Sequence, residues 1–382
     1  LQAGMALGEA RHIVGTASLG AGARQAFATK RLRADNGADL VHPGYGFLSE
    51  DAGFAAACAD AGLTFVGPDP QILNTFGDKV SARTAAVDAG VPVLAATESG
   101  IDEAAAIKFL ADCPDGIMIK AVAGGGGRGM RPVAHADEVS RVFRMCADEA
   151  RAAFGNGDLF AEELLADARH IEVQVVAAPG TGGATVALAI GDRDCSVQRR
   201  RQKLIEVAPA QWLADDLRAA LHSAAVDLCA RNGYRGLATV EFLVAGNRFV
   251  FLEGNPRIQV EHTVTEETTG VDLVEVGLRI ALGAELAELS LPQGVSARSG
   301  DVTGTPAMAR GIAVQARVNT ETLSADGEVF GSSGTLTGFC PPTGPGIRVD
   351  TFGRPGLEIG TRYDSLLAKV IVHTRAADFG VC

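Results

Sequence analysis

The chain has 382 residues, of which 47% are hydrophobic and 21% are charged. This composition is typical of a globular protein of two or three domains, and it excludes the disordered and fibrous classes. The 34 lysine and arginine residues against 46 aspartate and glutamate residues give a formal net charge of −12, which argues against a nucleic-acid binder that uses a broad basic face.

The first part of the chain alternates short apolar strands with helices. A strand is predicted at 38–41, and the glycine-rich turn 42–46 follows it. Ser49 is the expected N-cap of a helix that ends just before Gly62. The next strand is predicted at 63–66. This order of strand, turn, helix and strand is typical of a parallel α/β sheet.

The remaining elements continue the alternation of helices and strands. Helices are predicted at 79–89, 137–154 and 214–231. Strands are predicted at 116–120, 160–165, 170–176 and 184–190, and short strands that alternate with Gly/Pro turns are predicted within 309–320 and 330–369. A Gly/Ser/Thr-rich insertion at 296–308 predicts a solvated loop. The order indicates an α/β piece, a small glycine-loop lid and a larger mixed body.

The cysteines and the apolar stretches indicate the cellular compartment of the protein and whether the chain spans a membrane. The seven cysteines are scattered without a Cys-x-x-Cys pair, so we expect no zinc ribbon or disulfide framework and a reducing, cytoplasmic compartment. The longest uncharged stretch, 173–191, is broken by Pro179 and Gly180, so we expect no membrane span. The chain opens at Leu1 without a signal peptide, and we expect a fragment that begins within a domain.

Two carboxylates interrupt the apolar strands of a hairpin predicted to turn at 245–247. A three-residue turn there places Glu241 opposite Phe251, with Glu253 as its diagonal neighbour on the same face. Alternation along the strand keeps Asn255 on that face. Such oxygen ligands suit Mg²⁺ or Mn²⁺, and the acids' apolar neighbours favour a metal site over a solvated strand edge.

The glycine-rich run after the strand at 116–120 has two interpretations. Gly124, Gly126 and Gly129 match G-x-G-x-x-G, but Met-Arg-Pro-Val follows in place of a helix, so the dinucleotide fingerprint fails. Lys120 before the run and Arg128 within it favour a phosphate-covering flap over a flexible linker.

A cationic run, 195–203, concentrates four cations in its last five residues. A solvated charged surface and a site for triphosphate or bicarbonate both fit this run, and the residues alone do not separate them. His170 equally fits an ordinary strand histidine.

With these residues in place, the sequence resembles the biotin carboxylase component of biotin-dependent acyl-CoA carboxylases, which has an ATP-grasp fold. The matching segments run in order over nearly the whole chain: 42–50, 77–81, 120–131, 168–174, 193–200, 202–203, 253–262, Arg348 and 363–365. The resemblance implies an α/β and α+β architecture with an incomplete N-terminal parallel α/β domain, a small Gly-loop lid and a mixed C-terminal domain.

The resemblance also implies a division into four parts. We expect a partial N-terminal domain at 1–78, a linker and ATP-grasp lid at 79–164, an ATP-grasp body with the metal and bicarbonate site at 165–290, and a partial C-terminal domain at 291–382. Relative to the family pattern, the chain lacks the first strands and a closing segment.

The implied reaction is the ATP- and bicarbonate-dependent carboxylation of biotin through carboxyphosphate, the first half-reaction of an acetyl- or propionyl-CoA type carboxylase. Its cofactors are ATP, Mg²⁺ or Mn²⁺, and biotin. None of the five methionines precedes a lysine, so biotin is expected on a separate carrier domain. The expected partners are that carrier domain, a carboxyltransferase and a second copy in a homodimer, with no nucleic acid and no membrane.

The residue roles implied by the resemblance fall into four groups. The ATP contacts are Lys79, Lys120, Gly125, Gly126, Glu162, Leu165, His170 and Gln198. The metal ligands are Glu241, Glu253 and Asn255. The bicarbonate contacts are Lys203, Arg257, Gln259, the Val260 backbone and Glu261. The catalytic residues are Glu261 as the general base, Arg257, Lys203, and Arg348 as the cation that stabilises the biotin enolate.

Three residues depart from the family pattern: Arg201 stands in place of histidine or asparagine, Glu163 in place of lysine, and Gly254 in place of a bulkier residue. They leave the reaction type unchanged and affect the expected nucleotide affinity. The alternatives are another ATP-grasp carboxylate-amine ligase, a dehydrogenase that uses the formal glycine motif, and an inactive fragment that binds ATP.

Overall fold

The structure of the chain is a computed structural model that describes residues 13–15, 37–122, 129–180, 182–291, 309–361 and 364–376. Some positions singled out in the sequence lie outside the described residues: Gly124 to Gly126, Arg128, the insertion at 296–308, and Tyr363. The ATP contacts of Gly125 and Gly126 therefore stay predictions.

Three short strands form the expected parallel sheet near the N-terminal end of the described chain. They are β1 (Ile13–Gly15), β2 (Leu40–His42) and β3 (Thr64–Phe65), with β2 in the middle. Helix α1 (Ala52–Asp60) connects β2 and β3, and α2 (Pro70–Gly77) and α3 (Lys79–Asp88) follow β3. The first and third were predicted, whereas α2 was not.

The start of α1 corrects one sequence prediction. Its N-cap is Asp51, whose carboxylate accepts a hydrogen bond from the Phe54 backbone N–H at 2.8 Å. Ser49 is instead buried in a 3-10 helix, and its hydroxyl donates back to the Gly46 carbonyl at 2.5 Å. Because that hydroxyl is already engaged upstream, the carboxylate two residues later caps the helix. Gly62, with φ of +69°, follows the end of α1 as predicted.

A second, smaller sheet forms the lid. Its strands are β4 (Ile117–Ala121), β5 (Met130–Val133) and β6 (Leu159–Glu163), paired antiparallel in the order β5-β4-β6. The helices α4 (Glu103–Leu110) and α5 (Ala136–Phe154) pack on it. Ile117 and Ile119 of β4 and Val139 of α5 are fully buried in one apolar cluster, which holds the lid together as a separate core.

The body is an eight-stranded antiparallel sheet. In spatial order its strands are β11 (Arg248–Asn255), β10 (Gly236–Ala245), β7 (Arg169–Pro179), β8 (Thr185–Arg199), β9 (Gln202–Ala208), β12 (Ile312–Asn319), β18 (Leu366–Thr374) and β16 (Ile347–Thr351). Two ribbons accompany it, β13 (Glu321–Leu323) with β14 (Val329–Gly331) and β15 (Gly334–Thr335) with β17 (Glu358–Ile359).

Helices cover the large sheet and bury its apolar side chains. They are α6 (Asp215–Arg231), α7 (His262–Thr269) and α8 (Leu273–Ala281). Leu217, Leu221, Ala225 and Leu228 recur along one side of α6 and join the main core. Among the described residues, no helix combines the length and the apolar character that crossing a bilayer requires.

The acidic hairpin has a different register from the predicted one. Ala245 pairs with Arg248, so the turn has two residues instead of three. A β-bulge near Leu252 then shifts the pairing, and Glu241 lies directly opposite Glu253 instead of opposite Phe251. An inserted residue reverses which face the following side chains occupy. The bulge therefore brings the two carboxylates to the same face.

Candidate active site

A large open cavity lies where the lid, the N-terminal helices and the large sheet meet. The predicted site residues that line it are Lys79, Lys120, Glu162, Leu165, His170, Gln198, Lys203, Glu241, Glu253, Asn255, Arg257, Gln259 and Val260. Glu261 is fully buried directly behind Lys203. Motifs that are far apart in sequence thus converge on one place.

Lys203 is the centre of the charged network in this cavity. Its ammonium donates to Glu172 at 2.6 Å, to Glu261 at 2.8 Å and to Glu241 at 3.0 Å. Burial acts to lower the pKa of Lys203, but the three carboxylates outweigh it and raise that pKa well above its usual value. The ammonium contacts Glu172 and Glu241, which together with His170 form a group whose possible ligand atoms lie within 4.8 Å of one another.

A buried arginine fixes the acid beneath Lys203. Arg193 forms an ion pair with Glu172, and both side chains are fully buried. Its other nitrogens donate to Gln174 at 3.0 Å, to Thr265 at 2.9 Å and to Thr239 at 3.2 Å. Because every contact is a hydrogen bond to a buried partner, Glu172 is held rigidly with its second oxygen toward Lys203.

His170 is a member of the site and not an ordinary strand histidine. Its Nδ1 accepts a hydrogen bond from the Gln198 amide at 2.8 Å, so its Nε2 carries the proton and donates to Glu241. Burial acts to raise the pKa of Glu241, but the charge of Lys203 and the hydrogen bond from His170 lower it. Glu241 is therefore ionised and fixed from two sides.

Glu241, Glu253 and Asn255 have the donor set of a divalent-metal site. The Asn255 amide nitrogen donates to Glu241 at 2.8 Å and to Glu253 at 3.2 Å. Burial and the neighbouring charge of Glu241 raise the pKa of Glu253, so the ionised form of Glu253 would be favoured by a cation bound beside it. Carboxylate and amide oxygens are the ligands that Mg²⁺ and Mn²⁺ prefer, and these residues fit such an ion.

Arg257 presents its guanidinium beside the acidic cluster. It forms an ion pair with Glu50, which comes from the 3-10 helix near the N-terminus. It also donates to Gln259 at 3.2 Å and to Asn255 at 3.3 Å, and Gln259 in turn donates to Glu241 at 3.0 Å. These contacts place a cation and an amide side by side on the cavity wall, where they can bind an anion.

The environment of Glu261 includes a residue that the sequence analysis missed. Its Oε1 accepts from Lys203 at 2.8 Å, and its Oε2 accepts from Arg317 on β12 at 3.0 Å. Burial acts to raise the pKa of Glu261, but Lys203 and then Arg317 lower it far below its usual value. The available signal was the alternation of Gln315 and Arg317, two polar residues on one face of an apolar strand.

Arg348 lies apart from the other predicted catalytic residues. It does not line the cavity, and its guanidinium donates to Glu266 at 2.8 Å, to Asp350 at 2.9 Å and to Glu267 at 3.4 Å. These carboxylates anchor Arg348 on β16. Its predicted contact with biotin stays a prediction.

The cationic run was interpreted either as a charged surface or as an anion site, and its residues differ in which interpretation they fit. Arg199 forms an ion pair with Glu321, and Arg200 forms one with Glu328, so these two cations fasten β8 to the β13–β14 ribbon. The turn itself is unusual because Arg200 and Arg201 both have positive φ, +49° and +68°. All of these cations line the cavity, and Lys203 reaches its buried carboxylates.

Two of the predicted nucleotide contacts, Lys120 and Glu162, lie on the lid sheet. Lys120 of β4 forms an ion pair with Glu162 of β6. Glu163, which stands where the family pattern has lysine, accepts hydrogen bonds from Arg248 at 2.7 Å and 3.0 Å. Those bonds lower the pKa of Glu163. The unexpected acid is thus neutralised locally by Arg248.

Comparison with protein families identifies the family to which the chain belongs. Residues 24–73 match "Biotin carboxylase, N-terminal domain", residues 78–289 match "Carbamoyl-phosphate synthase L chain, ATP binding domain", and residues 315–379 match "Biotin carboxylase C-terminal domain". A biotin carboxylase from Campylobacter jejuni, solved as a complex with β,γ-ATP, is 33% identical, with a TM-score of 0.79 over 92% of this chain and 74% of that one. The chain belongs to the biotin carboxylase family, and the predicted resemblance and ATP-grasp fold are confirmed.

The chain is also similar to parts of two longer proteins. A solved single-chain, multi-domain long-chain acyl-CoA carboxylase is 57% identical, with a TM-score of 0.77 over 90% of this chain and 31% of that chain. Pyruvate carboxylase 1 of Caenorhabditis elegans is 45% identical over 341 residues, 88% of this chain and 28% of the relative. The chain thus spans less than a third of either protein.

Proposed function

We propose that the chain uses ATP to transfer a carboxyl group from bicarbonate to biotin. The observation that carries the proposal is the position of Lys203, whose ammonium joins three buried carboxylates in the cavity that also contains Arg257 and Gln259. This arrangement provides cations for an anionic substrate and, at Glu261, an ionised carboxylate that can accept its proton.

The nucleotide is proposed to lie between the lid and the large sheet. Lys79, at the first position of α3, adds its charge to the positive end of that helix, and both favour phosphate. Lys120 and His170 reach the cavity from β4 and β7 and are the other proposed phosphate contacts. The adenine is proposed to contact Glu162 and Leu165, which line the lid side.

A divalent cation is proposed to bind Glu241, Glu253 and Asn255. When bound, it would neutralise charge on the phosphates during phosphoryl transfer. Glu241 is well prepared for this purpose because His170 and Lys203 keep it ionised and oriented. The positive charge of the cation would also stabilise the ionised form of Glu253, which burial disfavours.

Bicarbonate is proposed to bind Lys203, Arg257, Gln259 and the Val260 backbone. Glu261 removes its proton, a bicarbonate oxygen forms a bond to the γ-phosphorus of ATP, and the bond to ADP breaks to give carboxyphosphate. The Val260 carbonyl is held by the Lys369 ammonium at 2.9 Å, which fixes the backbone at this position. The carboxyl group then passes to a ureido nitrogen of biotin: the nitrogen gives its proton to the phosphate group and bonds to the carboxyl carbon, and phosphate leaves. The biotin enolate that forms when the nitrogen loses its proton is proposed to be stabilised by Arg348.

The biotin is proposed to arrive on a carrier domain, and its carboxyl group to leave through a carboxyltransferase for an acyl-CoA. The 57% identity to a long-chain acyl-CoA carboxylase supports this acceptor, and the 45% identity to a pyruvate carboxylase makes pyruvate the alternative. The four-part division, the homodimer and the cytoplasmic location belong to the same proposal.

The test is ATP-dependent incorporation of ¹⁴C-bicarbonate into free biotin by the wild-type chain and by Glu261→Gln. Labelled carboxybiotin from the wild type and its loss in the variant would support the proposal. ADP release that requires an amine acceptor instead of biotin would indicate another ATP-grasp ligase. Carrier domains taken from the two kinds of carboxylase, compared as substrates at equal concentration, would distinguish an acyl-CoA from a pyruvate system.

A further inference from the structure

We propose that the ion pair between Glu163 and Arg248 positions the cavity wall that contacts the adenine, and that it thereby sets the affinity of this chain for ATP. Both are positioning residues. Their role rests on the proposed carboxylation of biotin, in which the adenine contacts Glu162 and Leu165. It also gives a purpose to Glu163, the acid that stands where the family pattern has lysine.

Residues 92–97, which we call the hinge segment, pass from the body to the lid. At the body end, the Phe251 backbone N–H of β11 donates to the Pro92 carbonyl at 2.7 Å. At the lid end, the Glu163 backbone N–H of β6 donates to the Ala95 carbonyl at 2.8 Å. Few residues lie between these two pairings, and a hinge needs only a few to change the angle between the parts that it joins.

The ion pair joins the lid to the body directly, beside the hinge segment. Arg248 begins β11, the strand of the body that pairs with the hinge segment, and Glu163 ends β6 of the lid. The guanidinium of Arg248 donates to both carboxylate oxygens of Glu163, at 2.7 Å and 3.0 Å. Oε2 of Glu163 also accepts from the Ala95 backbone N–H at 3.3 Å. One carboxylate therefore contacts the lid, the hinge segment and the body, and its two parallel bonds to Arg248 restrict their relative orientation.

The wall proposed for the adenine is built from the same three parts. The cavity is lined there by Val93, Leu94 and Ala96 of the hinge segment, by residues 162–165 at the end of the lid sheet, and by Phe251 of the body. A change in the angle between lid and body would move these residues apart. The ion pair therefore fixes the width of the space that the adenine enters.

The exposure of the pair determines which property it affects. The side chain of Arg248 is 49% exposed and that of Glu163 is 18% exposed. An ion pair this open contributes little to the stability of the whole chain, and salt weakens it. Its effect falls instead on the fraction of molecules whose cavity wall is already in place. A nucleotide binds with lower apparent affinity when that fraction is smaller.

The test measures the dissociation constant of Mg-ADP by isothermal titration calorimetry, with kcat and the KM for ATP of biotin-dependent carboxylation. We expect Arg248→Met to raise the dissociation constant and the KM about fivefold at low salt, and to change kcat by less than about twofold, because uniform binding is lost. Arg248 is not among the described residues that line the cavity, so it acts on the nucleotide only through Glu163. In about 1 M NaCl the difference from wild type should shrink to less than about twofold, because salt screens the pair.

A double-mutant cycle separates the contact from the charges themselves. Glu163→Lys places two cations together, Arg248→Glu places two acids together, and the double variant restores a pair in the reversed sense. The effect of each charge on the phosphates of ADP is independent of the other and adds, whereas the contact between the two side chains gives a coupling. We expect Mg-ADP to bind the double variant about tenfold more tightly than the product of the single effects predicts.

The matched control is Arg151→Met. Arg151 forms an exposed ion pair with Asp148 at 3.0 Å, but both residues lie on the lid helix α5, so this pair does not reach the body. The variant should bind Mg-ADP within about 1.5-fold of the wild type. An equal loss of affinity in Arg151→Met and Arg248→Met would overturn the inference.

Two further outcomes would also overturn it: an effect of Arg248→Met that is the same at low and high salt, and a cycle whose effects simply add. If Arg248→Met does not fold, Arg248→Gln takes its place. A wild type that binds Mg-ADP but carboxylates no biotin would instead reject the proposed function, and the calorimetric comparison would still decide the role of the ion pair. A wild type that does not bind Mg-ADP would overturn both.

Discussion

Gly254 lies between Glu253 and Asn255, and the space beside it is filled by a neighbouring ring. A Cβ built on Gly254 would lie 2.5 Å from Cδ1 and 3.0 Å from Cε1 of Phe76. The Phe76 ring is 5% exposed and packs edge-on against Tyr234, with ring centroids 5.4 Å apart, so it has little room to withdraw. Phe76 thus occupies the volume that the bulkier residue of the family pattern would fill.

We expect Gly254→Ala to lower the free energy of unfolding by about 1–3 kcal/mol, the usual cost of overpacking a core. The backbone at Gly254 is outside the left-handed region, so this cost comes from space alone. In a Phe76→Leu background the same change should cost at least about 1 kcal/mol less, because the smaller side chain leaves room for the Cβ.

Urea unfolding of the four chains in this cycle measures the coupling. Gly338→Ala is the control, since a Cβ there meets no atom within 4 Å, and it should change the free energy of unfolding by less than about 0.5 kcal/mol. Equal costs of Gly254→Ala in both backgrounds would refute the explanation that Phe76 replaces the missing side chain.

Three further predictions concern charge and capping. Lys203→Met leaves three buried carboxylates without their shared cation, and we expect urea unfolding to show a loss of about 3–5 kcal/mol. Burial lowers the pKa of His262 from 6.5 to about 3, so the unfolded chain binds the proton more readily below pH 6.5. The free energy of unfolding should therefore fall toward acid pH by at most about 1.4 kcal/mol per pH unit, and His262→Asn should remove that part of the slope. Asp78→Ala removes the N-cap bond to the Ser81 backbone N–H and should cost about 1 kcal/mol in the same assay.

Exposed residues serve as controls for these variants. Lys79→Met and His135→Gln should each leave the free energy of unfolding within about 0.5 kcal/mol of the wild type. A Lys203→Met chain as stable as Lys79→Met would show that the carboxylates do not need their shared cation. If the free energy of unfolding of His262→Asn depends on pH as steeply as that of the wild type, the prediction for His262 is wrong. If Asp78→Ala is as stable as the wild type, the prediction for the Asp78 N-cap is wrong.

Local patterns predicted much of the fold because they reflect the periods of helices and strands. The helix at 79–89, with Gly90 after it, and the long helix at 137–154 match α3 and α5 closely. The short helices α2 and α4 escaped prediction because each has only eight residues, too few for a clear apolar period.

The site was harder to predict where it depends on register and on partners distant in sequence. The bulge near Leu252 depends on packing within the sheet, so turn length alone placed Glu241 opposite the wrong residue. Arg317 reaches Glu261 only because β12 lies beside β9 in the sheet, and no local motif indicates that pairing. By contrast, most of the site residues that the family resemblance supplied line the cavity.

The central claim is that a bicarbonate oxygen attacks ATP in this cavity with Glu261 as the base. The most direct measurement supplies ¹⁸O-labelled bicarbonate, Mg-ATP and biotin to the wild-type chain and determines the isotope content of the released phosphate. The account predicts that the phosphate carries an oxygen from bicarbonate and that Glu261→Gln abolishes its release. Unlabelled phosphate, formed by attack of water on ATP, would contradict it.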